Sequence, residues 1–190
     1  MISKVFTSSL IGIDGQIITV ETDFSPALPS FYLVGLADLA VREARERVGA
    51  ALKNNGFQFP RGRVTINLAP ADLRKEGSFF DLPLAIGLLQ SSSQIHPQEE
   101  LSQYILLGEL SLDGALKGGH GVLPMVASAV KCGFRKFILP KENEKEALLV
   151  GQGEIYGAEN LYEVVEHLCS NRKIPPGELT PEQEIRTVYD

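Results

Sequence analysis

Residues 105–141, ILLGELSLDGALKGGHGVLPMVASAVKCGFRKFILPK, hold the pattern that decides the fold. Tyr104–Leu112 is apolar enough to be a strand, Asp113-Gly114 is a tight-turn pair, and Ala115–Lys117 reads as the returning strand of a hairpin. A glycine-rich run, Lys117-Gly118-Gly119-His120-Gly121, leads into Val122–Lys131, which reads as a helix with Gly133 as its stop signal. Phe137, Ile138 and Leu139 make another short strand, closed by Pro140. Hairpin pairing followed by β-α alternation predicts an α+β domain built on a mixed sheet with helices.

Upstream, Val5, Thr7, Ile18, Val20, Phe31 and Leu33 follow a period of two and Asp14-Gly15 offers turn chemistry, predicting a meander of about three strands. From Ala37 to Asn54 the period becomes helical, with Ala37, Val41, Ala44, Val48, Ala51 and Leu52 on one face and Asn55-Gly56 as the stop. RGRVTINLAP reads as a strand ended by Pro70, ADLRKEGSFFD as a loop, and Leu82 to Gln90 as a buried helix. Downstream, Glu142–Val150 is expected to be helical with Leu148 and Leu149 inward, Glu154–Tyr156 a strand, and Leu161–Leu168 an amphipathic helix. After Cys169 the run SNRKIPPGELTPEQEIRTVYD is rich in proline and charge and has no apolar period. It is expected to be a linker over 170–190 that leads from a domain at 1–169 into something further.

The composition bounds the function. The 190 residues are 44% hydrophobic and 22% charged, ordinary for a globular protein, and the net charge of −6 gives no whole-domain attraction to phosphate. Any nucleic-acid contact has to come from a local patch. Cys132 and Cys169 are far apart without metal-ligand spacing, which argues against a zinc site or a disulfide scaffold and for a reducing compartment. MISKVFTSSLIGIDG matches neither a secretory signal nor a membrane span, so the chain reads as cytoplasmic.

The stretch from Ser9 to Leu89, and NLAPADLRKEGSFFDLPLAIG within it, resembles the N-terminal domain of the ComM/YifB family, the magnesium-chelatase-like AAA+ proteins. The resemblance covers about residues 3–169. It implies the fold of the Lon protease proteolytic domain and of the second domain of small-subunit ribosomal protein S-five. It also implies a hexameric, ATP-driven ring that acts on branched DNA in recombination and natural transformation. An AAA+ domain absent from this chain would bind the ATP and magnesium; no cofactor is expected in the chain itself.

Likeness to the Lon peptidase also directs attention to a Ser-Lys dyad, which needs a serine hydroxyl within reach of a lysine whose amine is neutral through burial. Laid on Lys75-Glu76-Gly77-Ser78-Phe79, the serine position falls on Phe79, and the lysine position falls on Val122. Neither side chain can serve. A displaced dyad of Ser78 and Lys117 is the enzymatic alternative; otherwise Ser78 caps the helix starting near Asp81. His96, His120 and His167 have no serine or cysteine spaced for a triad and read as surface residues.

The run 117–121 is not a P-loop, because GxxxxGK[ST] occurs nowhere in the chain. Its glycines serve a tight strand-to-helix connection or a weak anion contact. Candidate DNA-binding residues are Arg42, Arg45, Arg61, Arg63, Arg74, Lys75 and Lys117, with Arg42–Glu46 and Glu43–Arg47 pairing on the helix as the competing use of its charge. Phe79-Phe80 reads as core in preference to a base-stacking pair. A pure oligomerisation or adaptor domain is the remaining alternative.

Overall fold

Ile2–Ile11 (β1) and Asp14–Ser25 (β2) form a long antiparallel hairpin that turns at Gly12 and Ile13. The computed structural model describes residues 1–180. Asp14-Gly15, expected to be the turn, lies inside β2. Gly15 answers a different need: a Cβ there would meet Met125 Cα at 2.7 Å and the Pro124 oxygen at 2.9 Å, so glycine lets a helix rest on the hairpin.

The third strand, Ser30–Val34 (β3), does not extend a meander. It lies parallel to Arg63–Ala69 (β4), which inserts between it and β2. Parallel neighbours need a crossover, and Leu39–Asn54 (α1) provides it. Asp38 caps α1 by accepting from Val41 N at 2.8 Å. Val41, Ala44, Val48, Ala51 and Leu52 are buried, as their spacing predicts.

Asp81–Ser91 (α2) is buried at every position except Gln90. Ser78 does not cap it through its side chain; its carbonyl accepts from Asp81 N at 3.2 Å. The strand expected over Tyr104–Leu112 is divided. Tyr104–Leu106 (β5) joins the main sheet beside β1, the chain leaves at Gly108, and Glu109–Leu110 (β6) pairs with Leu116–Lys117 (β7) as a separate hairpin. At Gly108 φ is 153° and a Cβ would meet Leu116 Cδ1 at 2.5 Å, so the departure needs glycine.

Val122–Lys131 (α3) follows, then Lys136–Pro140 (β8), Glu144–Leu148 (α4), Glu154–Ala158 (β9) and Leu161–Leu168 (α5). The main sheet has seven strands in the order β3-β4-β2-β1-β5-β8-β9, and it is antiparallel only where β2 meets β1 and β4. Of α4, Ala147 is fully buried and Leu148 partly so, whereas Leu149 is 46% exposed and does not point inward.

Two apolar clusters form. One gathers α1, α2 and α5 against Val20, Ile66, Leu68 and Ile138. The other lies beneath α3 and takes in Phe79, Ile105, Phe137, Leu139 and Ile155. No residue of β3 or β4 belongs to the second cluster, so α3 leaves that end of the sheet uncovered.

The stretch after Cys169 is tied down over its described part. Ile174 N donates to His167 Nδ1 at 2.9 Å, Gly177 N donates to the Ile155 oxygen at 2.8 Å, and Ile174 packs against the first cluster. Residues 181–190 of the expected linker lie outside the described residues. Among the described residues no helix is long and apolar enough to cross a membrane.

Candidate functional site

The turn before α2, the loop before α3 and the last residues of β1 enclose an open cavity of about 690 Å³. Ser8, Ser9, Asp38, Glu76, Glu109 and His120 supply most of its polar lining, so this groove is not filled with apolar side chains. Phe79 and Val122 do come together. Val122 is fully buried, Phe79 is 9% exposed, both belong to the cluster under α3, and the Phe79 ring lies against Gly119. Ser78 borders the cavity, and its hydroxyl makes no hydrogen bond to a lysine among the described residues.

The glycine-rich run does not offer free amides to an anion at its centre. Gly118 N donates to Glu142, and Gly119 N donates to Asn143 Oδ1 at 3.2 Å. Asn143 returns a bond from Nδ2 to the Gly119 oxygen at 2.9 Å. A side chain at Gly118 would collide with Asn143 Oδ1 at 2.1 Å, so the tight connection is the use the glycines serve.

The basic candidates separate by environment. Lys75 is wholly buried and donates from Nζ to the Pro70 oxygen, while its backbone pairs with Leu36 and Asp38 on either side of Ala37. Burial lowers its pKa, and the side chain is not available to phosphate. Arg74 is exposed but paired with Glu76 at 3.0 Å. Arg42 donates from Nε to the Ala37 oxygen at 3.2 Å, and Lys117 is exposed on the separate β6–β7 hairpin.

Arg45, Arg61 and Arg63 form a different group. Arg45 Cζ stands 5.1 Å from the Phe31 ring centre and 5.9 Å from that of Phe59, and Arg63 Cζ stands 5.5 Å from the Tyr32 ring centre. Arg61 is exposed beside Gly62, whose oxygen accepts from Ser30 N at 3.2 Å, so it flanks the first residue of β3. None of these three is ion-paired among the described residues.

Two clusters escape sequence reasoning. Asp81, read as a helix-start acid, is fully buried and accepts from Arg47 Nε at 2.7 Å, Arg47 Nη2 at 3.0 Å and Leu110 N at 3.0 Å. Burial raises its pKa, while the Arg47 guanidinium and the Leu110 amide oppose that by favouring the charged form. His167 is 1% exposed, not a surface residue, and sits 4.5 Å from the Tyr156 ring centre and edge-on to Tyr104. Its Nε2 has no hydrogen-bond partner among the described residues, and burial, with Lys173 adding to it, lowers its pKa to about 4. Nearby Glu99 accepts from Lys136 Nζ at 2.5 Å, Tyr104 Oη at 3.0 Å and Lys173 Nζ at 3.3 Å, which hold it at about 2. The only sequence signal for His167 is its place on the apolar side of α5; nothing local marks the long-range partners of Asp81.

The family described as subunit ChlI of Mg-chelatase matches residues 20–143. The chain belongs to that family. Within this magnesium-chelatase-like group, competence protein ComM of Haemophilus influenzae is 43% identical over 171 residues, which is 90% of this chain and 33% of that protein. Uncharacterized protein YifB of Escherichia coli is 46% identical over 153 residues, 80% of this chain and 30% of its own length. Lon protease 2 of Bacillus subtilis is a distant relative, 29% identical over 137 residues, 72% of this chain and 24% of that protein. The mixed sheet with five helices fits the Lon-like domain expected for the family. The chain spans about a third of the length of the ComM and YifB relatives it matches.

Proposed function

We propose that this chain is a non-catalytic module of a longer magnesium-chelatase-like AAA+ ATPase, adding nucleic-acid contact and ring geometry to a motor encoded outside it. The carrying observation is that Phe79 and Val122, the positions that the resemblance to the Lon peptidase assigns to its serine and lysine, are buried in one apolar cluster. The name of the Haemophilus relative, competence protein ComM, supports a role in competence; recombination and a cytoplasmic location belong to the same proposal. In this reading the ring is a hexamer and the substrate is single-stranded or branched DNA.

ATP and magnesium belong to the motor. The chain holds no GxxxxGK[ST] motif, and among the described residues no group of three or more His, Cys, Asp or Glu could hold a metal ion.

Two assays separate the parts of the proposal. Hydrolysis of fluorescent casein by the chain should stay at the blank; activity that Ser78→Ala removes would overturn the non-catalytic reading. Anisotropy with labelled forked and single-stranded DNA should show binding that weakens steeply with salt. Absence of binding at low salt, by this chain and by the full-length ring alike, would remove the nucleic-acid part.

A further inference from the structure

β3 is the outermost strand of the main sheet, so its free side has no paired strand among the described residues. Its residues alternate: Phe31 and Leu33 pack towards the first cluster, while Tyr32 is 52% and Val34 49% exposed on the side that α3 does not reach. Arg63 stands beside the Tyr32 ring.

Sorting the arginines between residues 42 and 74 by partner leaves three uncommitted among the described residues. Arg47 is committed to Asp81, Arg74 to Glu76, Arg42 to a backbone oxygen, and Lys75 to the interior. Arg45, Arg61 and Arg63 carry no ion pair among the described residues, and all gather at the start of β3. Arg45 lies on the Phe31 side of the strand and Arg63 on the Tyr32 side. Guanidiniums supported on aromatic faces are weakly hydrated and keep their N–H edges free for phosphate.

The same surface has a boundary. Across the sheet from Tyr32 lie Thr65 on β4 and Asp23 on β2, and across from Val34 lie Asn67 and Glu21. Asn67 Nδ2 is already committed to Glu21 Oε2 at 2.9 Å. The two carboxylates repel phosphate and confine a polyanion to the β3 edge.

We propose that the β3 edge is a track for single-stranded nucleic acid, on which an unpaired base stacks on Tyr32 while Arg45, Arg61 and Arg63 take the adjoining phosphates. This rests on the nucleic-acid reading above and gives it a place. Charge complementarity argues the occupant: three uncompensated cations suit a backbone with one anion per nucleotide, and an exposed ring suits a base no longer paired. Duplex DNA, with its bases stacked inside, gains only the electrostatic part.

The test uses the 190-residue chain and labelled oligothymidine and oligouridine of about 12 nucleotides, with a duplex of equal length, between about 50 and 200 mM salt. Both single strands should bind more tightly than the duplex, with log K falling against log salt at a slope of about −2, as three phosphate contacts require. Tyr32→Ala should weaken single-strand binding about tenfold and leave duplex binding unchanged, while Tyr32→Phe keeps it. Arg61→Ala with Arg63→Ala should flatten the salt slope by about 1.4. Thermal melting confirms that each variant folds.

Arginine variants that lose affinity while Tyr32→Ala does not would overturn the stacking step and leave nucleic-acid contact standing. Unchanged binding in all of these variants, with loss in Arg42→Ala or Lys117→Ala, would overturn the track. Absence of binding by the wild-type chain, with a dimer in sedimentation that Tyr32→Ala disrupts, would give the edge to a second copy of the chain and overturn the track as well.

Discussion

At the residue scale, the pair Arg47–Asp81 decides how α1, α2 and the β6–β7 hairpin lock together. Asp81 is fully buried, so its charge depends on the Arg47 fork and the Leu110 amide for everything that water would have supplied. Arg47→Ala strands that carboxylate, and we expect a loss of about 3–5 kcal/mol in denaturant unfolding. Replacing both members, Arg47→Met with Asp81→Leu, should cost distinctly less than the single change. A double variant no better than Arg47→Ala would show that the pair does more than answer its own desolvation. The sequence places Asp81 at a helix start, where acids are common, and gives no reason to join it to a residue on another helix.

At the element scale, an imidazole helps to hold the segment after α5, together with the Gly177–Ile155 backbone bond and the packing of Ile174. His167 Nδ1 accepts from Ile174 N, so that nitrogen must stay unprotonated for the segment to remain docked. The groups around it are Tyr104, Tyr156, Lys173, Lys136, Glu99 and Glu154. An unfolded histidine titrates near 6.5, and the folded one at about 4, so the native state binds fewer protons between those values. The stability His167 contributes is therefore complete above about pH 6.5 and is lost towards pH 4, by up to about 3 kcal/mol. Glu99, held at about 2, gives up its own contribution only below its ordinary carboxylate range. Urea unfolding between about pH 7 and 5 should thus show falling stability in the wild type and a nearly flat response in His167→Gln. An equal slope in the variant would assign the acid sensitivity elsewhere.

At the scale of the whole molecule, one sheet separates two apolar clusters. Ile105, Phe137 and Leu139 face α3, while Leu106 and Ile138, their neighbours in sequence, face the other side. Because β5, β8 and β9 each serve both clusters, damage beneath α3 should be felt throughout. Leu139→Ala should cost about 2–5 kcal/mol and lower the unfolding midpoint equally whether the probe reports on Tyr104 in the first cluster or on α3. Two separated transitions would show that the clusters unfold independently. Charge is uneven on the same scale: a net charge of −6 coexists with three unpaired arginines at one sheet edge, a distribution that composition cannot reveal.

The sequence by itself determined the helical face of α1, the buried character of α2, the span of α3, the mixed fold class, and the adjacency of Phe79 and Val122 through family likeness. These follow from local periodicity, chain punctuation and motif spacing, which act over a few residues. Only the tertiary structure decided that β3 pairs with β4 and not with β2, that Gly15 serves helix packing and not a turn, and that Lys75 and His167 are interior. It also decided that Arg45 and Arg63 lie over aromatic rings of β3 with Arg61 beside that strand's first residue, whereas Arg74 pairs with Glu76 and Lys117 stands on the separate hairpin. Those outcomes depend on which distant segments come into contact, and contact at long range is set by the packing of the complete sheet against its helices.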